Sequence, residues 1–331
     1  MIEPYILKMR PYLRPKIWGG RKLQSTFDKA LPDDRPYGEA WEVADLDEGE
    51  STIVNGPLAG EPLSKVVERW PDALQTPDSE QAFPLLVKIL DAQDDLSVQV
   101  HPSREAIAEF GLDGHSKDEC WLILEAEPDG CILHGFEEEV DPSDFRAAVD
   151  QERAAQMLRR VEVEAGDVIR VQPGTVHAIC TGVCLLEIQE PSDTTYRVYD
   201  YGRPGMDGNP RELHLQEAMK VADFGAHPPA KLEPMPSESA QAVDILVDAP
   251  SYRIERARPA DTLRWEVGEA GPQVVFCSKG AVRLEGRGGE VSLAFGQTAV
   301  IPGGLGSVEL TPESAGDAEV IVAGSGGEPL L

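Results

Sequence analysis

Gln99 and His101 stand two apart at the end of the run LSVQV, a spacing that sends both side chains to the same face of a strand. Pro102 stops that strand, which leaves the pair at its mouth rather than inside a ladder. Glu119 opens the next strong apolar run, ECWLILEA, with Lys117 two positions earlier, and His177 follows a Pro-Gly turn after GDVIRVQ. Two imidazoles, a carboxylate and an amide suit a divalent transition metal. Nitrogen and oxygen donors without thiolates favour zinc. Spacing alone does not single out this set, because His115, His134, His214 and His227 offer further imidazoles, and His134 in ILHGF is the strongest rival.

A second group of residues could move protons or hold anions. Lys88 lies inside PLLVKIL, where an ammonium is costly unless it reaches an anion or a pocket. Glu187 in CLLEIQE is likewise a charge in an apolar strand, and the two-residue offset of Lys117 from Glu119 aims both towards one cavity. Asp193 and Arg197 are four apart in SDTTYR, which on a strand puts them on one face. Taken singly, that pair reads most simply as a surface ion pair. Trp18 and Trp41 could wall a pocket, although core packing is the simpler use of either.

The elements that must position these residues are mostly strands. Alternating or continuous apolar runs bounded by Gly, Pro and Asp recur, as in ECWLILEA, GCILHGF, GDVIRVQ and GVCLLEIQ. Helical patterning is confined to Pro62–Trp70, Ser103–Phe110, a charged stretch from Pro142 to about Arg160, and Leu213–Phe224. The Pro-rich stretch 226–240 reads as a connector between a metal-binding domain, 1–225, and a second β-domain, 241–331. One element recurs across that divide: GDVIRVQPGTVH and GQTAVIPGGLGS align on Gly166 with Gly296 and Gly174 with Gly304, so that Ser307 takes the place of His177. The second domain is therefore expected to be metal-free.

At 331 residues the chain can bury a sizeable core. Thirty Lys and Arg against 59 Asp and Glu give a net charge of -29, which repels nucleic acid and anionic membrane surfaces. An anionic small substrate would need a local pocket of Lys and Arg. The N-terminal segment lacks the apolar stretch of a signal peptide, and no run approaches the roughly 18 apolar residues of a membrane span, so the protein is expected to be soluble and cytoplasmic. Cys120, Cys131, Cys180, Cys184 and Cys277 include no Cys-x-x-Cys pair and read as reduced core residues, with Cys180 and Cys184 on a shared strand face.

FPLLVKIL, SVQVHP, SKDECW, QPGTVHA and EPSDTTYRVYDYGR, preceded by KIWGG and YGEAWEVAD, occur in this order over most of residues 10–225. Together they resemble the successive blocks of the type I mannose-6-phosphate isomerases, in particular the shorter bacterial form. The resemblance implies a mainly β fold of two cupin-like jelly-roll domains with helical insertions. It also implies one zinc ion per chain, held by Gln99, His101, Glu119 and His177, and a hexose phosphate substrate. Asp193 and Arg197 fall in the active site, with Arg197 as a catalytic or substrate-binding cation and Asp193 as its partner and a candidate base. Lys88, Lys117 and Glu187 complete the catalytic candidates. The implied reaction moves a proton between C1 and C2 through an enediol without an organic cofactor. One departure stands out: longer members place a histidine just before the lysine of the Lys-x-Glu block, where this chain has Ser116, with His115 one step back. A non-catalytic sugar-binding cupin is the alternative. An iron-dependent oxygenase is disfavoured by the extra amide.

Overall fold

Runs such as FPLLVKIL and GVCLLEIQ are apolar at nearly every position, which suits strands covered on both faces. In the computed structural model, which describes residues 2–76, 83–238, 240–313, 318–326 and 329–331, they become Leu86–Ala92 and Val183–Gln189, adjacent strands of a seven-stranded sheet. That sheet runs in the order Lys231–Leu232, Val168–Val171, Glu119–Ala126, Val183–Gln189, Leu86–Ala92, Tyr12–Gly20 and Tyr37–Val43. One of its faces, carrying Leu90, Trp121, Ile123, Ile169 and Leu185, packs on Ile132 and Ile179 of a five-stranded sheet. The five strands are Arg160–Glu162, Cys131–His134, His177–Ile179, Val98–Val100 and Tyr196–Tyr199. Helices Pro142–Asp150 and Leu215–Val221 cover the far side of that sheet with Phe145, Val149, Ala218 and Val221.

The alternate residues of the seven-stranded sheet, including Val87, Ile89, Cys120, Leu122, Leu186 and Ile188, point the other way. They join Leu7, Val274, Phe276, Val300 and Ile321 in a core shared with an eight-stranded sheet. The opposite face of the eight-stranded sheet closes on a four-stranded one, Leu263–Val267, Gly306–Pro312, Ala281–Gly286 and Gly289–Ala294. Two β-sandwiches therefore stack back to back, with helices on the flanks.

Two segments tie the halves together. The strand Leu7–Arg10 pairs Leu7 with Val300 and Lys8 with Ala299, so the sheet of the second half takes in a strand from the beginning of the chain. The Pro-rich connector contributes an edge to each sandwich: Lys231–Leu232 pairs with Val168 and Ile169, and Met235–Pro236 with Ile245 and Asp244. Its residue Ser239 lies outside the described residues. The repeated element is a strand, a turn and a strand in both copies, and all four aligned glycines adopt positive φ: 98° at Gly166, 78° at Gly296, 88° at Gly174 and 70° at Gly304. The expected helix from Pro142 to about Arg160 is shorter than its charge pattern suggested. It ends at Asp150, just before Glu152 adopts φ 60°, and a short 3-10 turn and a strand follow.

Candidate metal centre

On the five-stranded sheet His134, His177, Gln99 and Arg197 stand directly opposite one another on four successive strands, so their side chains leave by the same face. That face is the inner one, since Ile132 and Ile179 beside them lie in the core shared with the seven-stranded sheet. Across the gap, Trp121, Glu187, Lys88 and Trp41 form a matching row, with Glu119 and Gln189 paired next to it. Register alone thus brings two polar rows face to face in the first sandwich.

Where they meet, Oε1 of Glu119 lies 3.5 Å from Nε2 of His101 and 3.4 Å from Nε2 of His177. The ligand atoms of these three buried residues all fall within 4.8 Å of one another. The Gln99 side-chain nitrogen reaches within 3.3 Å of His177 Nε2, and the two ends of a side-chain amide exchange by a simple flip. Each imidazole directs Nδ1 at a carbonyl oxygen, His101 at Thr194 (3.0 Å) and His177 at Thr175 (2.9 Å). Those contacts hold the proton on Nδ1 and turn a bare Nε2 inward. Burial, joined by Lys117 at His101, pushes both imidazoles down to about 4, which keeps them neutral. Burial would raise the Glu119 carboxyl, but Lys117 and His101 hold it well below the usual range. Two neutral nitrogens and an ionised oxygen converging among buried side chains make a donor set that fits a divalent cation and suits zinc.

Lys117 bridges this centre to the second cluster. Its Nζ lies 2.7 Å from Glu119 Oε2, 3.3 Å from His101 Nε2 and 4.0 Å from Glu187 Oε1. Lys88 donates to Glu187 (2.9 Å) and to the Gln189 side-chain oxygen (2.8 Å), sits 3.8 Å from Asp193 and lies 5.3 Å over the Trp41 ring. Burial works against its ammonium, yet Glu187, Asp193 and Glu39 raise its pKa above the ordinary value. The sequence-selected residues Lys88, Lys117 and Glu187 therefore share one network with the metal-ligand candidates.

Asp193 and Arg197 depart from the expected partnership. Asp193 precedes the strand Tyr196–Tyr199, so strand alternation does not relate the two. Its carboxylate pairs instead with Arg14 at 2.8 Å and faces Lys88. Burial favours its neutral form, but Lys88, Lys16 and Arg14 hold it at about 2. Arg197 shares the inner face with Gln99, while its Nη1 donates to the Glu212 carbonyl (2.8 Å) and its buried Nε has no hydrogen-bond partner.

The rival histidines have other partners, His134 included although it stands opposite His177. His134 turns Nε2 to the Arg170 carbonyl, His227 turns Nδ1 to that of Gly225, and His214 accepts the Arg197 backbone N–H. His115 is exposed beside a cleft of about 660 Å³ that also includes Asp45, Glu50 and Asp193. Ser116 is buried and donates to Glu190 (2.9 Å). Arg14, Lys16, Glu39 and Gln189 were not singled out from sequence, although Glu39 in YGEAWEV carries the same signal as Lys88, a charge in an apolar strand. Glu39 receives Lys16 (2.7 Å) and the Trp41 indole N–H (2.7 Å), and Arg14 lies 4.4 Å over the Trp41 ring. Arg14, Lys16, Lys88 and Lys117 are matched by Asp193, Glu39, Glu187 and Glu119, so the cluster is close to charge-balanced within an acidic protein. Cys180 and Cys184 share no strand face. A turn at Thr181 and Gly182 separates them, and Cys184 enters the core behind the sheet.

Residues 6–124 match the family described as phosphomannose isomerase type I, catalytic domain. A probable mannose-6-phosphate isomerase of Bacillus subtilis, GmuF, is 40% identical over 221 residues, 67% of this chain and 69% of that protein. The crystal structure of a Bacillus subtilis mannose 6-phosphate isomerase superposes with a TM-score of 0.86 at 27% identity, covering 97% of this chain and 100% of the other. A mannose 6-phosphate isomerase crystallised with zinc and yttrium shares the fold, with a TM-score of 0.74 at 16% identity over 97% of this chain and 100% of that one.

Proposed function

The chain belongs to the type I phosphomannose isomerase family, and from that premise we propose that it interconverts mannose 6-phosphate and fructose 6-phosphate by moving a proton between C1 and C2 through an enediol. The observation that carries this reading is the junction at Lys117, 2.7 Å from Glu119 and 4.0 Å from Glu187, which makes the donor set and the acid–base candidates one continuous site. Gln99, His101, Glu119 and His177 would hold the zinc ion, one per chain, and zinc there supplies a Lewis acid for the substrate oxygens.

The chain's own groups divide the remaining work. Lys117 offers a fixed ammonium to negative charge that develops on a substrate oxygen. Glu187 accepts from Lys88 (2.9 Å) on one oxygen and from the Trp121 indole N–H (3.2 Å) on the other, which fixes its direction and theirs. Asp193 opens onto the cleft and is the better-placed proton acceptor. At about 2 it is a weak base, but a phosphate arriving beside Arg14 and Lys16 would relax the hold of those cations and raise its basicity. Arg197, with a free buried Nε, is the candidate substrate-binding cation.

The test is a coupled assay with mannose 6-phosphate on protein as isolated, after chelation and after zinc is restored. Activity should vanish with the metal and return with it, at one zinc per chain. Fully loaded protein without turnover would refute the assignment in favour of a non-catalytic sugar-phosphate-binding cupin.

A further inference from the structure

Cys131 and Cys180 stand apart from the other cysteines. The strands Cys131–His134 and His177–Ile179 pair Ile132 with Ile179, and the same register one step further sets Cys131 opposite Cys180. The Cys180 N–H donates to the Cys131 carbonyl at 3.1 Å, so this is a hydrogen-bonded pair of an antiparallel ladder. Such pairs bring Cα atoms to about 5.5 Å, inside the roughly 4.4–6.8 Å that a disulfide spans. Both side chains leave the sheet by one face, on which Arg160, opposite Leu133 on the next strand, is the diagonal neighbour of Cys131.

We propose that Cys131 and Cys180 are a reversible dithiol–disulfide modification site, with Cys131 as the attacking thiolate and Cys180 as the resolving thiol. The hydrogen bond from Cys180, followed by Arg160, brings the Cys131 thiol down to about 7 against the effect of burial. Its partnership with Cys131 and then burial push Cys180 up. Burial raises the thiols of Cys120 and Cys184 and lifts that of Cys277 to about 12, which leaves those three inert. Cys131 is buried and Cys180 beside it is partly exposed, so an oxidant reaches the Cys131 sulfur past Cys180.

With a hydroperoxide as oxidant, the Cys131 thiolate attacks one peroxide oxygen. The O–O bond breaks, the sulfur becomes a sulfenic acid, and the departing oxide takes up a proton to leave as water or alcohol. Cys180 then attacks the Cys131 sulfur, an S–S bond forms as the S–O bond breaks, and hydroxide departs with the thiol proton as water. Two thiols are oxidised and one peroxide reduced.

The experiment treats the whole, zinc-loaded protein with hydrogen peroxide and follows intact mass and linked peptides. Loss of the two thiol hydrogens, a Cys131–Cys180 peptide, and their restoration by a dithiol reductant are expected. Cys180→Ser should stop at a dimedone-reactive sulfenic acid on Cys131. Independently of any variant, brief alkylation of the native protein should label Cys131 before the other four cysteines. Oxidation that begins at Cys120, Cys184 or Cys277, a link between two chains instead of within one, or a Cys131 no more reactive than Cys120 would each overturn the proposal.

Discussion

Lys88 is buried against Glu187 and Asp193, so removing its ammonium strands carboxylates rather than merely deleting a contact. Lys88→Met should cost about 3–5 kcal/mol in urea denaturation as well as activity. Arg197→Ala should behave differently: activity falls with zinc content and stability kept, because the guanidinium donates to the Glu212 carbonyl, away from the metal-donor side chains. Loss of metal or fold would assign it a structural role. Asp45 provides the pH-dependent case. Burial, then Glu50 directly opposite it, raise its carboxyl to about 6. A pKa raised on folding favours the folded state below the unfolded value and works against it as pH rises through about 6. Asp45→Asn should therefore raise the melting temperature at pH 7.5, and the gain should shrink as pH falls towards 4. A gain independent of pH would show that Asp45 is ionised throughout. At this scale the sequence exposed Lys88 and Glu187 because a charge inside an apolar run demands a partner. Arg14 escaped, since an arginine beside Pro15 in a mixed strand looks solvated until Trp41 and Asp193 close over it.

Two strands facing one another, not any single one, make the centre, and that level was partly legible. Spacing put Gln99 and His101 together at a strand end, although the strand closes at Val100 and His101 lies just past it, and it put His177 after a Pro-Gly turn, while the pairing of His177 with Gln99 required the register between strands distant in sequence. The Asp193–Arg197 relation failed for a local reason, because the segment before Tyr196 is not a strand. The loop carrying Tyr252 adds a contact that no motif announced: its hydroxyl donates to Asp118 at 2.8 Å, and Arg170 grips the same carboxylate. Asp118 lies between Lys117 and Glu119, so the second half of the chain braces the block that carries both. Tyr252→Phe should lower stability by about 1.5–3 kcal/mol and weaken zinc retention against a chelator. Unchanged retention would confine Tyr252 to packing.

The two sandwiches share more than a boundary. The core between the seven- and eight-stranded sheets draws residues from both, and the buried Lys29–Glu42 pair (2.6 Å) is completed by the Gly296 carbonyl and the Thr298 hydroxyl. Residues 241–331 produced alone should not fold, because one face of their larger sheet would be bare and the Leu7–Arg10 strand would be missing; the expected sign is the absence of a cooperative transition on heating. The same strand sets a timetable for biosynthesis. A ribosome adding roughly 5–20 residues per second releases Leu7–Arg10 roughly tens of seconds before Thr298–Ile301 exists to receive it. Through that interval Leu7–Arg10 waits, unpaired on that side, for a strand made long after it.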